Sequence, residues 1–257
     1  MAKLMKRILF FIFACCYSYS AAALQVKQNM QTSIGLFDAC KQSFTYSFFR
    51  DTDYDVKTSL QTTGTFGILY PFRASYHAVG TYNKQNFVPQ DYFYEAKSRF
   101  RFRTKEIIYK NGIPQQRIST KDDYKRIDDI TIDTQYESSM DLLSTTAVLI
   151  EQVVRTGKCD ISRHSFDGKK YALNSWKTLG KEKIKTPYFS GRALKCEYKM
   201  EVFDDADAGF LVDTKQPIYV WILHDKQTKA PFVAKVLIKK TPFGKLEALT
   251  TDIEVKK

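Results

Sequence analysis

Cysteines, histidines and a few hydroxyl–acid clusters are the residues of this 257-residue chain whose types could do chemistry. Beyond the first 23 residues the cysteines are Cys40, Cys159 and Cys196. In an oxidising compartment three cysteines make one disulfide and leave one thiol. Pairing Cys159 with Cys196 closes a loop that restricts the unfolded chain by roughly 3–4 kcal/mol in the chain-entropy model. Cys40 is then the odd thiol, and pairings that use Cys40 stay open on the residues alone. His77, His164 and His224 lie far apart, with no i, i+4 pair and no adjacent Cys or Glu, so no metal set is expected. Ser162-Arg163-His164-Ser165 with Asp167 offers a hydroxyl, a base and an acid, but neighbours along a strand point to opposite faces and no Gly-x-Ser-x-Gly elbow is present. Asp204-Asp205-Ala206-Asp207-Ala208-Gly209 resembles a calcium loop without its fifth-position oxygen or its later Glu, and reads as a solvated acidic turn. With no glycine-rich phosphate loop and no CxxC pair, no catalytic residue and no cofactor is expected, and a hydrolase is the least supported class.

The first residues read as an address. Lys3, Lys6 and Arg7 precede the apolar run Ile8–Cys16, and Ala21-Ala22-Ala23 supplies small residues for cleavage. That run is too short to span a bilayer, which takes about 20 residues as a helix, so residues 1–23 are expected to be a secretory signal peptide. A lipid anchor on Cys15 or Cys16 is the alternative, with the bulky Phe13 unfavourable to it. The expected location is exported and periplasmic. Losing the leader takes the formal net charge from +12 to +9. That balance favours anionic surroundings such as lipid head groups or acidic glycans, and an exported chain excludes nucleic acid as the natural partner. Nothing in the pattern sets an oligomeric state.

The elements that must position these residues are mostly strands. Residues 24–39, rich in Gln, are expected to run along the surface as an extension ahead of one β-rich domain, 40–257. Phe44–Phe49, Thr63–Tyr70 and Phe72–Val79 show the aromatic and β-branched alternation of half-buried strands. Arg99, Arg101, Arg103 and Lys105 alternate with Phe100, Phe102 and Thr104, and the strand runs on to Asn111-Gly112, a hairpin signal. Nine Lys/Arg against three Asp/Glu between Ser98 and Arg126 make this a basic, outward sheet face. One segment breaks the pattern. Leu143, Ala147, Ile150 and Val154 recur at helical spacing, with Leu142, Leu149 and Val153 widening the stripe. Ser138 or Ser139 can cap that helix, Asp141 suits the positive end of its dipole and Gly157 closes it. Ile218–Leu223, Phe232–Ile238 and Leu246–Ile253 supply the closing strands.

The run Pro89-Gln90-Asp91-Tyr92, Arg101–Lys105, Tyr109–Gly112, Asp141–Ser144 and Gly157-Lys158-Cys159 resembles the bacterial exported family catalogued as domain of unknown function three-one-zero-eight. Phe166–Tyr171, Cys196, Val220-Trp221, Ala230-Pro231-Phe232 and Thr241–Gly244 extend the resemblance in the same order, over roughly residues 40–254. The resemblance implies an envelope location, a curved and mostly antiparallel β structure, and a Cys at both 159 and 196. It implies no activity and no catalytic residues, and it has no counterpart for Cys40.

The expected fold is therefore mainly β: a curved antiparallel sheet or incomplete β-barrel with one covering α-helix at about 141–155. Such a cup can enclose an apolar cavity, here expected to be lined by Phe100, Phe102, Leu149, Trp221 and Phe232. The leading function is a non-enzymatic envelope protein binding an apolar or amphipathic ligand, a lipid or an acylated protein. The alternative is a structural or assembly factor that docks on another envelope protein or the cell wall through Arg99, Arg101, Arg103, Lys105 and Arg126. An anionic membrane surface is a further candidate partner.

Overall fold

The computed structural model describes residues 24–49, 52–83, 86–131, 136–203, 216–226 and 228–256. The leader expected at 1–23 and the acidic turn at 204–209 lie outside the described residues. The chain runs through β1 (Leu24–Ile34), β2 (Phe37–Phe49), β3 (Asp53–Thr62), α1 (Gly64–Leu69), β4 (Phe72–Asn83) and β5 (Asn86–Ser98). It continues with β6 (Phe102–Lys110), β7 (Ile113–Lys121), β8 (Tyr124–Asp129) and the long helix α2 (Leu142–Thr156). β9 (Ile161–Phe166), β10 (Tyr171–Lys185), β11 (Ser190–Val202), β12 (Ile218–His224), β13 (Pro231–Thr241) and β14 (Gly244–Lys256) follow.

All fourteen strands join one antiparallel sheet in the order β8-β7-β6-β5-β4-β3-β2-β1-β14-β13-β12-β11-β10-β9. Chain neighbours are sheet neighbours everywhere except at two places: β1 pairs with β14, and β8 and β9 are left as the two edges. Residues 24–39 correct the expectation of a surface extension. Leu24–Ile34 is a central strand with β2 on one side and β14 on the other. Its Gln-rich composition hides a period of two, in which Val26, Gln28, Met30, Thr32 and Ile34 are buried. The Gln28 carboxamide serves the backbone of Val233, accepting from its N–H at 3.0 Å beside the β12–β13 register shift.

Thr63–Tyr70, expected as a strand, is instead the short helix α1. Gly64, at φ +57°, turns the chain out of β3, and the Thr62 hydroxyl donates to the Tyr70 carbonyl and accepts from the Phe72 N–H to close the excursion. The Asn111-Gly112 hairpin forms as expected, both residues at positive φ.

α2 occupies the expected place, but Asp141 is its cap, accepting from the Ser144 N–H at 2.8 Å. Gly157 ends it in the left-handed region at φ +67°. Leu143, Ala147, Val148, Leu149, Ile150 and Val153 are buried, while Leu142 and Val154 are half exposed. Each buried Leu, Ile or Val contributes roughly 1.5–3 kcal/mol by leaving water. The helix lies on the sheet face that carries Tyr46, Tyr54, Val56, Ala78, Tyr92 and Ile107, and shares their core.

That face can be followed residue by residue. Tyr46, Val56, Ala78, Tyr92, Ile107, Arg117 and Asp128 are successive register partners from β2 to β8, so they share the inner face. The row ends in charge, and this is where the sheet meets itself. Arg117 donates to the Gly168 carbonyl and Lys105 to the Asp167 carbonyl, both at 2.5 Å. A Cβ on Gly168 would lie 3.1–3.4 Å from the side chains of Arg117, Lys105 and Ile107. The β9–β10 turn therefore rests on the inner face of β6 and β7, with Phe166 in the core. The two edges do not pair: the sheet rolls up like a scroll, the β9 edge tucked inside. Met140, just before α2, bridges to β9 by accepting from the Phe166 N–H at 2.9 Å, which covers part of that free edge.

Cys159 and Cys196 form a disulfide with both residues fully buried. It joins the segment just past the C-terminus of α2 to the inner face of β11, packed against Leu149 and Val153. It thus fastens the end of the helix to the sheet. Cys40 is a free, half-buried thiol.

Replacing both Cys159 and Cys196 by Ser is expected to lower stability by about 2–4 kcal/mol, read as a shifted urea midpoint, while far-ultraviolet circular dichroism retains its β signature. An unchanged midpoint would contradict the anchoring role. Arg117→Met is expected to accelerate amide exchange in β9 and the 167–170 turn by roughly tenfold or more, with β1, β2 and β14 unaffected. Uniform acceleration across the sheet would mean that the seam is not held locally.

Candidate functional site

A cavity of about 170 Å³ lies between α2 and the inner face, bordered by β1–β2 and β12–β13. Met30 and Phe44 form one wall, Leu149, Ile150 and Val153 the helix wall, and Ile222, Val233 and Val236 the third. The strand period of two puts Met30 and Phe44 inward, and the helical stripe brings Leu149 and Val153 opposite them. Gln28, Gln42, Thr58 and Thr146 add polar groups to its lining. A pocket enclosing a whole small ligand is roughly 300–1,000 Å³, and this one is smaller than that. A larger open trough of about 840 Å³ crosses β1–β5, with Ser43, Ser59 and Ser75 among its lining. Met30 and Ala74 apart, its lining is exposed or half-buried, and it is a bend in the solvated sheet surface.

Of the residues expected to line a cavity, Leu149 does so. Phe232 borders it, but its ring packs with Trp221, Leu223 and Ala234 in a second cluster. Register places Trp221 and Phe232 on the face turned away from α2, since Val220 and Ile222 are the residues facing Leu149 and Val153. Lys195 and Lys235 cover the Trp221 ring there at 5.1 and 5.2 Å from its centroid. Phe100 lies in the β5–β6 turn with its ring 84% exposed. Phe102 shares the outer face with Thr104 and Glu106 and is half-buried.

The basic residues are also divided. Arg99 and Arg101 sit in the exposed β5–β6 turn, where Arg99 donates to the Ile68 carbonyl at 3.1 Å. Arg103, Lys105 and Arg126 belong to the inner face, Lys105 aligning with Ser119 and Ser119 with Arg126. The alternation on β6 is as expected but its sense is inverted: the cations point in. For Lys105 a partner from far along the chain makes this possible, while Arg103 and Arg126 reach solvent. Lys105 lies under the 167–170 turn, where burial lowers its pKa while Asp167 opposes the shift. Arg126 binds Asp128 at 2.6 Å, and hydrogen bonds from Arg117 and Arg126 hold that carboxyl below the usual range. Arg117 and Asp128 had no signal in the local pattern, because what singles out Arg117 is a turn 51 residues along the chain, and Asp128 follows from Arg117.

The fragments that could suggest catalysis are separated. The Ser162 hydroxyl meets Ser175 at 3.1 Å, the His164 ring stands against Tyr136 and Phe203, and Ser165 is bound by Asn174 at 2.7 Å. Asp167 instead caps its own turn, accepting from the N–H groups of Lys169 and Lys170. His77 lies 3.2 Å from Asp55. Among the described residues no group of three or more His, Cys, Asp or Glu could hold a metal ion.

Asp141, Ser144 and Tyr54 form a buried polar chain. The Asp141 carboxylate bonds the Ser144 N–H and hydroxyl, and Ser144 exchanges a 2.7 Å hydrogen bond with the Tyr54 hydroxyl. All three are essentially inaccessible, and none borders the cavity. Burial pushes Asp141 up to about 6, its hydrogen bonds with Ser144 working in the opposite direction. Burial likewise raises Tyr54, Tyr92 and Tyr109 around it. The chain ties the start of α2 to β3, which is a positioning task.

The chain matches the family model described as protein of unknown function (DUF3108) over residues 27–251, and it belongs to that family. No curated protein matches it. It is similar to a crystal structure described as a beta-barrel-like protein of domain of unknown function DUF1849 from Brucella abortus. The two are 8% identical, with a TM-score of 0.50 over 92% of this chain and 98% of the other. At that identity the likeness is one of fold.

Asp141 has a pH signature. Its folded pKa, about 6, exceeds the unfolded value of about 3.9, so its protonated form favours the fold. That contribution is complete below about pH 4 and is lost as pH rises to about 6, a change of order 2–3 kcal/mol. Asp141→Asn keeps an N-cap acceptor and is expected to remove this slope from urea midpoints measured between pH 4 and 7. Parallel wild-type and variant curves would assign the slope to other groups.

Proposed function

We propose that this chain is a non-enzymatic envelope protein that holds the apolar segment of an amphipathic ligand, a lipid or an acylated protein, between α2 and the inner face of its sheet. The cavity beside Leu149 carries the reading: its walls are mainly aliphatic and aromatic, with a few polar side chains among them, and it lies where a helix and a curved sheet can part without breaking strand pairing. Half-exposed Leu142 and Val154 give α2 apolar surface on its outer side as well. The buried disulfide supports an oxidising, exported location, as does the leader pattern at residues 1–23. We place the protein in the periplasm.

The test is equilibrium titration of the purified protein with a dansyl-labelled fatty acid, alongside mass spectrometry of lipid co-extracted with it. Saturable binding is expected, and Leu149→Trp, which fills the cavity, is expected to weaken it by roughly tenfold or more while the thermal transition is retained. Absence of saturable binding to the folded wild type, together with absence of co-extracted lipid, would sink the reading.

A further inference from the structure

The exposed apolar residues of this protein are not scattered. Strand directions place the β1–β2, β3–β4, β5–β6 and β13–β14 connections at one end of the sheet. Those four connections carry Leu36 at 98% exposure, Phe100 at 84%, Ile68 at 74%, Tyr70 at 69% and Phe243 at 59%. Contacts join them side by side. Gly35, beside Leu36, donates to the Lys245 carbonyl at 2.9 Å. The Phe243 and Phe66 rings meet edge to face at 6.2 Å. The guanidinium of Arg99 reaches the Ile68 carbonyl from the neighbouring turn and stands 5.9 Å from the Phe100 centroid. Single exposed apolar residues are ordinary, but a contiguous set on neighbouring loop tips marks a contact surface.

Charge identifies what the surface meets. Residues 35–37, 63–72, 98–101 and 241–245 contain Arg99, Arg101 and Lys245 and no Asp or Glu. Exposed Asp38 follows Phe37, and the β7–β8 turn at the same end carries Asp122 and Asp123 between Lys121 and Lys125, so cations outnumber acids across the rim. Projecting prongs of Leu, Ile, Phe and Tyr interleaved with cations fit a soft interface that accepts side chains a few ångströms deep and presents negative charge beside them. No helix among the described residues is long and apolar enough to cross a membrane.

We infer that this rim docks the protein on the surface of an anionic lipid bilayer, with Leu36, Ile68, Phe100 and Phe243 entering the head-group boundary and Arg99, Arg101 and Lys245 pairing with lipid phosphates. The rim is separate from the cavity, and its docking stands whether or not the cavity takes a ligand. Met30 on the cavity wall is about 20 Å along β1 from Leu36 at the rise of an extended strand.

The experiment is flotation of the full mature chain with vesicles of phosphatidylcholine alone and of equal parts phosphatidylcholine and phosphatidylglycerol. Binding is expected to the anionic vesicles, to weaken with added salt, and to fall at least tenfold in a Leu36→Asp/Phe100→Asp/Phe243→Asp triple variant and in Arg99→Glu/Arg101→Glu. Leu179→Asp, an exposed position on β10, is expected to bind as wild type, and thermal unfolding verifies that each variant is folded. Leu149→Trp is expected to float normally and the triple variant to keep dansyl fatty-acid binding, so failure at the rim is distinguishable from failure at the cavity. Absence of flotation, flotation that is equal on neutral vesicles, or flotation unchanged in both rim variants would overturn the proposal. So would loss in the triple variant of a wild-type self-association seen by analytical ultracentrifugation without any vesicle binding, which would make a second copy the occupant.

Discussion

A rolled sheet has to dispose of two edges, each a row of unpaired N–H and C=O groups. A closed barrel pairs them with each other. Here the β9–β10 turn is drawn under β6 and β7 by Arg117 and Lys105, whose head groups bond the carbonyls of Gly168 and Asp167. Much else follows from those bonds. Lys105 and Arg117 must stand on the inner face beside Ile107, Asp128 must accompany Arg117, and residue 168 must be glycine-like to fit beneath their stems. The same overlap leaves α2, in the link between the two edge strands, no place but the interior.

The interior is then filled from both ends of that link. Asp141 and Ser144 fix the start of the helix to Tyr54, and the disulfide fixes its far end to β11. Between those points the helix meets a well-packed aromatic core on one flank, around Tyr46, Tyr82 and Phe87, and the small cavity on the other. A helix pinned at its ends and loosely met along one side is a reasonable jaw for an apolar chain.

The local pattern carried most of the strands, the Asn111-Gly112 hairpin and the extent of α2, while the pairing of Cys159 with Cys196 was open against Cys40 on the residues alone and was supported by the family resemblance. It failed where the deciding contact is distant in the chain. Thr63–Tyr70 alternates like a strand, yet Gly64 breaks it away. Residues 24–34 look too polar for a central strand until β2 and β14 are seen on either side. On β6 the period of two was legible but not its sense, because cations are inward only if remote carbonyls receive them. Trp221 and Phe232 were legible as buried, and their face was not, since β12 is apolar on both sides. Of the candidate site, Leu149 was legible on a wall and Phe232 at the border. Nothing local distinguishes a residue beside a cavity from one beside a neighbour.

β1 and β14 lie side by side, with Gln25 opposite Lys256. The first strand made therefore waits for the last before it has both neighbours. Closing a loop of that length costs little more entropy than closing a short one, but it places the central pairing late in folding and makes assembly slow for the protein's size. Until then β1 depends on its hairpin with β2 alone, and a chain shortened at its C-terminus would expose the middle of its sheet rather than its margin.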